Sequence, residues 1–300
     1  MDGKLADIVG YALPAPGRLW DKLVGAFHLA QPSETVLLQA LPATLFMRIA
    51  SPATDIRRLL VLFLAVIAIY GAVGSLNDYC DFSLDKVAKP RKPLVRGLVT
   101  RRFALWQALV LAVTGLLLSV ALNWLTACFS ALILALGIWY DVRAKRSLLS
   151  WVPYAVGIPT LPLWGFAAAG RFERVLLLAY PLGAMLSVGL NVSNTLPDRE
   201  GDAAFGLQAL THRLKLWHAI LLAWGLFAGA ILGFAAAAPL LGNDWNILGP
   251  GLASGTLLLI LMIGDYAIFH SHQSLKRNWY VGGLLAVVVG LAWVASLPQR

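Results

Sequence analysis

Long stretches without charged residues recur along the chain, and each approaches the roughly 20 residues that cross a bilayer as a helix. They lie at residues 59–76, 103–140, 149–170, 175–197, 216–241, 247–264 and 279–297. The second is too long for one span and is interrupted by Asn123, so we predict a helical hairpin of residues 103–121 and 125–140. A weaker segment at 29–50, with Pro42 in its apolar core, brings the predicted number of spans to nine.

The composition supports a membrane protein. Hydrophobic residues make up 59% of the chain and charged residues 13%, against about 25% charged residues in a typical globular domain. The net charge is +9, but the basic residues form short clusters between apolar runs. That arrangement fits lipid headgroups, orientation signals or an anionic substrate, and no groove-reading or base-stacking module is visible, so nucleic-acid binding is not expected.

The N-terminal segment has a different pattern. Leu19, Trp20, Leu23, Val24 and Phe27 recur at helical spacing, as in a helix that lies in the membrane interface, although a plain amphipathic linker fits as well. We therefore predict an interfacial or cytoplasmic segment at residues 1–28 and a transmembrane domain at residues 29–298.

The distribution of basic residues predicts the orientation. With nine spans and a cytoplasmic N-terminus, 18 of the 24 Lys and Arg residues fall on the inner side, as the positive-inside rule requires. The same topology places every aspartate-rich segment on the inner side.

The first of these segments follows the predicted span at residues 59–76. Asn77, Asp81 and Asp85 are spaced by four residues, and Asp78 lies three before Asp81, so a continuing helix presents all four on one face. Converging carboxylates repel one another unless a cation lies between them, and Mg²⁺ favours such oxygen ligands.

A second segment has the same spacing at the inner end of another span. Asn194, Asp198 and Asp202 supply an oxygen ligand at every fourth residue, although Pro197 and Gly201 make a continuous helix less secure. Both segments are predicted to hold metal, and Asp78, Asp198 and Asp202 are the residues expected to be essential for catalysis.

Basic side chains accompany both segments and suit phosphate oxygens already bridged by metal. They also serve as topology signals, a role that needs no particular geometry. The predicted substrate-binding residues are Lys89, Arg91, Lys92, Tyr140, Arg143, Lys145 and Arg199.

These motifs resemble those of the UbiA superfamily of intramembrane prenyltransferases. Residues 77–85 match its NDxxDxxxD signature, and the following KPRKPLVRG resembles its basic continuation. Asp198 and Asp202 look like its second motif, with Asn194 where many members place another aspartate. Tyr140 with Lys145 is similar to its YxxxK motif but one residue longer, so Arg143 or Lys145 is the corresponding cation.

The resemblance implies an all-α membrane bundle of about nine helices around a central cavity, with the site on the cytoplasmic side of the bacterial inner membrane. It implies Mg²⁺-dependent transfer of an isoprenoid from an allylic diphosphate to an acceptor, which we expect to be aromatic or quinone-precursor-like.

Other functions remain as alternatives. A UbiA-type terpene cyclase or a phosphoribosyl-type transferase would share the motifs, and a transporter or scaffold would instead favour broken helices or charges at mid-membrane. Asp265 lies inside the eighth predicted span, where it either orients an acceptor with Tyr266 and His270 or is an interfacial carboxylate.

Overall fold

The computed structural model describes residues 19–178, 180–199 and 210–298, and within these ranges the regular structure is helical, without strands. In chain order the elements are α1 (Leu19–Leu29), α2 (Pro32–Thr35), a π-helical turn (Val36–Ala40), α3 (Leu41–Ala50), α4 (Ile56–Cys80), α5 (Phe82–Ala88), α6 (Arg101–Leu122), α7 (Trp124–Val142), a 3₁₀ turn (Ala144–Arg146), α8 (Val152–Gly157), α9 (Thr160–Ala168), α10 (Val175–Leu178), α11 (Tyr180–Thr195), α12 (Leu210–Arg213), α13 (Leu216–Leu241), α14 (Trp245–Phe269) and α15 (His272–Ala295).

Six helices in the described ranges, namely α4, α6, α7, α13, α14 and α15, are long and apolar enough to cross a membrane. Their outer faces carry large apolar side chains, among them Leu60, Val113 and Leu257, which are more than two-fifths exposed and suit contact with lipid. The predicted class, a helical multi-pass membrane protein, is confirmed. The other three predicted spans coincide with shorter runs: α2 to α3, α8 with α9, and α10 with α11.

The predicted hairpin is present, and Asn123 forms its turn. Asn123 is extended, with φ −177°, and its side-chain oxygen accepts a hydrogen bond from the Thr126 N–H at 2.9 Å. Its amide also donates to the Ala167 carbonyl at 2.7 Å. A backbone N–H without a partner is costly in a membrane. Asn123 lowers this cost at the turn between α6 and α7, because its side chain caps the start of α7 and also bonds α9.

Close helix contacts fix the arrangement of the bundle. The most buried of the six spans, α4, packs against α6 and α7, while α14 packs along α15 and α11 along α13. The short helix α9 approaches α3 at Gly165, where a Cβ atom would lie 2.6 Å from the Ala43 carbonyl oxygen. Only glycine permits this approach without moving a backbone. The same region buries Trp164 completely.

Candidate active site

The first aspartate motif spans a helix break. α4 ends at Cys80 and α5 begins at Phe82. The prediction of a continuous helix over this motif is therefore wrong at Asp81, which caps α4 with φ −91° and ψ 6°. The Asp81 N–H still bonds the Asn77 carbonyl at 2.9 Å, and the Asp85 N–H bonds the Asp81 carbonyl at 2.8 Å. The chain therefore keeps a helical path through the break, and the acidic side chains remain on adjoining turns.

Lys92 joins two of these carboxylates. Its ammonium lies 2.7 Å from Asp78 Oδ1 and 2.7 Å from Asp85 Oδ2, and both aspartate side chains are only 3% exposed. Burial raises the pKa of Asp85 above its usual value, although Lys92 opposes the shift. Burial also works against the charge on Lys92, but the two carboxylates outweigh it and raise the pKa of Lys92. The ammonium thus compensates a pair of buried acids.

Lys145 makes a corresponding set of contacts from another part of the chain. It lies in the 3₁₀ turn after α7, is 7% exposed, and its ammonium is 2.6 Å from Asp81 Oδ1. It also donates to Asn77 Oδ1 at 3.3 Å and lies 3.6 Å from Asp141 Oδ1. Arg143, the other cation considered for this position, is exposed at the end of α7. Lys145 is therefore the basic residue of its motif that reaches the aspartates.

Asp141 was missed by the sequence analysis. It follows directly on the charge-free window that ends at Tyr140, and it is 2% exposed. The signal that could have found it is its spacing, because Asp141 and Lys145 are four residues apart at the end of a span.

An ion pair connects the loop after the first aspartate motif to the second motif. Lys89 Nζ lies 2.8 Å from Asp198 Oδ2, with both side chains partly exposed. Asp198 lies in a turn after α11, which ends at Thr195, so the helix stops before the first carboxylate of the second motif, where the sequence made its continuation less secure. Asp202 lies outside the described residues. The contact shows that the loop after the first motif meets the start of the second.

A small polar cluster lies deeper along α11. Asn194 Nδ2 donates to the Tyr154 hydroxyl at 3.2 Å, and the Tyr154 ring meets the Tyr140 ring edge to face, with centroids 5.6 Å apart. Asn194, one turn before Asp198, thus faces Tyr154 of α8 and is brought near Tyr140.

Arg91 and Arg199, two of the predicted substrate-binding residues, have surroundings different from those of the lysines. The Arg199 guanidinium donates to the Leu214 carbonyl, which ties the second motif to the segment before α13. Arg91 is exposed in the loop after α5.

An apolar cavity of about 90 Å³, open on one side, lies between α3, α9, α11 and α15. Phe46, Leu161, Leu186 and Trp293 are among its lining residues. Leu190, also in the lining, is one helical turn before Asn194, so the cavity approaches the polar cluster from the membrane interior.

The donor set suits a hard divalent cation. Carboxylate and amide oxygens are the ligands that Mg²⁺ prefers, and Asp78 and Asp85 already direct one oxygen each at a single Lys92 ammonium. Asn77 and Asp81 do the same toward Lys145. Within the described ranges no group of three or more acidic, histidine or cysteine side chains is arranged to hold a metal. The residues fit Mg²⁺ in their chemistry, and the Lys92 and Lys145 ammonium groups supply positive charge among the same oxygens.

Comparison with known proteins identifies the family. The model of the UbiA prenyltransferase family matches residues 37–281, which is most of the chain. The chain belongs to the UbiA prenyltransferase family. The resemblance drawn from the motifs is thereby confirmed.

Several UbiA-family relatives are similar to the chain. Digeranylgeranylglyceryl phosphate synthase of Pyrococcus horikoshii is 27% identical over 161 residues, which cover 52% of this chain and 56% of that protein. The chain thus spans about half the length of that relative. 4-Hydroxybenzoate octaprenyltransferase of Vibrio cholerae serotype O1 is 25% identical over 288 residues, covering 90% of this chain and 93% of that protein.

The fold is also that of a solved family member. A UbiA homolog from Archaeoglobus fulgidus bound to GPP and Mg²⁺ superposes with a TM-score of 0.71 at 14% identity, covering 89% of this chain and 99% of that one. At this identity the likeness establishes the fold alone.

Proposed function

We propose that the protein is a Mg²⁺-dependent intramembrane prenyltransferase, which transfers an isoprenoid from an allylic diphosphate to a small-molecule acceptor. The observation that carries the proposal is the Lys89–Asp198 contact, because it brings the loop after the first motif against the second motif. The same loop carries Lys92, which pairs with the buried Asp78 and Asp85. Family membership and the names of the relatives support the same reaction.

Each polar group has a role in this reaction. Asn77, Asp78, Asp81 and Asp85 would hold Mg²⁺ on one side, and Asn194, Asp198 and Asp202 on the other. When bound, Mg²⁺ would supply positive charge that favours departure of the diphosphate. Lys89, Lys92 and Lys145 are released from carboxylates and donate to the diphosphate oxygens, as do Arg91, Arg143 and Arg199 in the proposed arrangement. Hydrogen bonds from such cations stabilise the leaving group where negative charge develops.

The apolar surroundings would serve the other end of the substrate. The diphosphate stays at the polar surface, and the isoprenoid tail extends past Tyr140 and Tyr154 toward the cavity lined by Leu186 and Phe46. Aromatic ring faces stabilise a developing allylic cation, and apolar walls exclude the water that would capture it. As the C–O bond to the diphosphate breaks, the acceptor attacks the allylic carbon. A base then removes a proton from the acceptor.

The membrane arrangement follows from the same proposal. Nine spans surround a central cavity, with both motifs on the cytoplasmic side of a bacterial inner membrane and a domain at residues 29–298. Of the interfacial segment predicted at residues 1–28, residues 1–18 lie outside the described ranges. Helix α1 exposes Leu19, Trp20, Leu23 and Phe27, which would form a membrane-contacting face.

Two acceptor classes follow from the relatives. An aromatic, quinone-precursor-like acceptor is our first choice, because the relative aligned over 90% of this chain is named for 4-hydroxybenzoate. A glyceryl phosphate acceptor is the second, from the name of the Pyrococcus relative, which aligns over half of the chain.

Product analysis tests the proposal. Purified protein is incubated with allylic diphosphates of several lengths and Mg²⁺, with 4-hydroxybenzoate, an isoprenyl glyceryl phosphate or no acceptor, and products are identified by mass. Prenylated acceptor that disappears in EDTA is the expected result. A cyclised hydrocarbon formed without acceptor would make the protein a terpene cyclase, and intact diphosphate in every reaction would contradict the proposal.

A further inference from the structure

Lys145 lies between two carboxylates, of which only one belongs to an aspartate motif. Its ammonium is 2.6 Å from Asp81 in the first motif and 3.6 Å from Asp141, on the last turn of α7. The Asp141 side chain is 1% exposed and the Lys145 side chain 7% exposed. Lys92 differs, since both of its carboxylate partners in the described structure, Asp78 and Asp85, belong to the motif.

The proposed reaction makes conflicting demands on Asp81. Its carboxylate would bind a divalent ion, and that ion would repel an ammonium that now lies 2.6 Å from the same oxygen. The ammonium must therefore leave Asp81. A buried lysine that loses its counter-ion is strongly unfavourable, so its release requires another carboxylate or the arriving phosphate.

We propose that Asp141 is a positioning residue, which takes over the Lys145 ammonium when Asp81 binds the metal–diphosphate and holds it beside the diphosphate. This inference rests on the proposed function. An ammonium has three donors, so it bonds the Asp141 carboxylate and a phosphate oxygen together. The ammonium has only a short distance to move, because Lys145 Nζ already lies 3.6 Å from Asp141 Oδ1.

The local structure favours Asp141 as a fixed partner. Asp141 lies on α7, and the turn that follows is closed by the Arg143 N–H on the Trp139 carbonyl at 2.9 Å and the Arg146 N–H on the Arg143 carbonyl at 3.1 Å. Both ends of the pair are thus on an ordered backbone.

A double-mutant cycle tests the inference by binding. Asp141→Asn, Lys145→Met and the double variant are titrated with inorganic diphosphate in the presence of Mn²⁺, and binding is followed by calorimetry and by the Mn²⁺ spin-resonance signal. We expect Asp141→Asn to weaken diphosphate binding about tenfold when Lys145 is present, a typical coupling between contacting groups. In the Lys145→Met background the same change should produce no weakening.

Conservative and control variants separate positioning from stability. Asp141→Glu keeps the carboxylate and should recover most of the binding. Asp265→Asn removes an aspartate from a different ion pair, with Arg277 at 2.7 Å, and should leave diphosphate binding unchanged. If Asp141→Asn is not recovered folded, Asp141→Ser takes its place in the cycle.

Equal weakening by Asp141→Asn in both backgrounds would overturn the inference, as would a lower melting temperature with unchanged binding. These results leave the proposed function standing if the wild-type protein still makes prenylated product. Failure of the wild-type protein to bind Mn²⁺–diphosphate would instead contradict the proposed function, and the inference with it.

Discussion

Replacing Lys92 by methionine is expected to destabilise the protein when metal is absent. The substitution removes an ammonium 2.7 Å from each of two carboxylates that are 3% exposed, and leaves Asp78 and Asp85 facing each other. Breaking a buried ion pair costs about 3–5 kcal/mol. Because the Lys92 side chain is itself 21% exposed, solvent screens part of that loss, and we expect about 2–3 kcal/mol.

Magnesium should reverse this loss. In Lys92→Met the ion takes the place of the ammonium between the two carboxylates, whereas in the wild-type protein it must first displace the lysine. A ligand at 100 times its dissociation constant stabilises the folded state by about 2.7 kcal/mol, which is the size of the expected defect. The assay is thermal melting in detergent, with EDTA or with Mg²⁺, for both proteins.

Lys86→Met is the matched control. Lys86 is in α5, but its ammonium lies over the Phe82 ring at 4.5 Å, a contact expected to contribute about 0.5–1 kcal/mol at an exposed site. Its melting temperature should therefore change little, and Mg²⁺ should raise it no more than in the wild-type protein. If Lys92→Met melts in EDTA like the wild-type protein, or if Mg²⁺ stabilises both equally, the reasoning about the buried acids is refuted.

Three further predictions address binding, packing and topology. Lys89→Ala and Arg91→Ala are each expected to raise the KM for the allylic diphosphate, because each removes a charge near the leaving group; unchanged KM values in steady-state assays would make these residues topology signals only. Gly165→Ala should cost about 1–3 kcal/mol by melting, because its Cβ would meet the Ala43 carbonyl at 2.6 Å, and an unchanged melting temperature would contradict that contact. In a Cys128→Ser background, an impermeant maleimide should label Cys80 only from the cytoplasmic face, whereas labelling only from the opposite face would reverse the assigned orientation.

Apolar patterning was enough to predict much of the fold. Lipid requires every backbone group to bond within its own helix, so a charge-free window near span length has few alternatives to a helix. The break at Asn123 was predictable for the same reason, because a polar residue with a short side chain stands between two such windows and can cap the second. The helices within residues 149–170 and 175–197 were harder to predict, since the described structure has two shorter helices in each run, α8 with α9 and α10 with α11.

The ion pairs of the site were not predictable from spacing. Lys89 and Lys92 are three residues apart, yet they contact Asp198 and Asp78 respectively, because the fold of the loop after α5 decides where each ammonium points. Lys145 reaches Asp81 from a distant part of the sequence, and such a contact depends on how α4 packs against α7. Helix periodicity also could not show that α4 ends just before Asp81.

The central claim is that both aspartate motifs act on one metal–diphosphate assembly. The most direct test is a double-mutant cycle of Asp78→Ala and Asp198→Ala, measuring kcat for release of diphosphate from one allylic diphosphate with a working acceptor. We expect each single variant to lose activity by orders of magnitude while remaining folded in detergent, and the double variant to be scarcely worse than the poorer single one, because groups that act as a unit lose their effect together. Multiplied losses in the double variant, or near-wild-type activity in either single variant, would contradict a shared site.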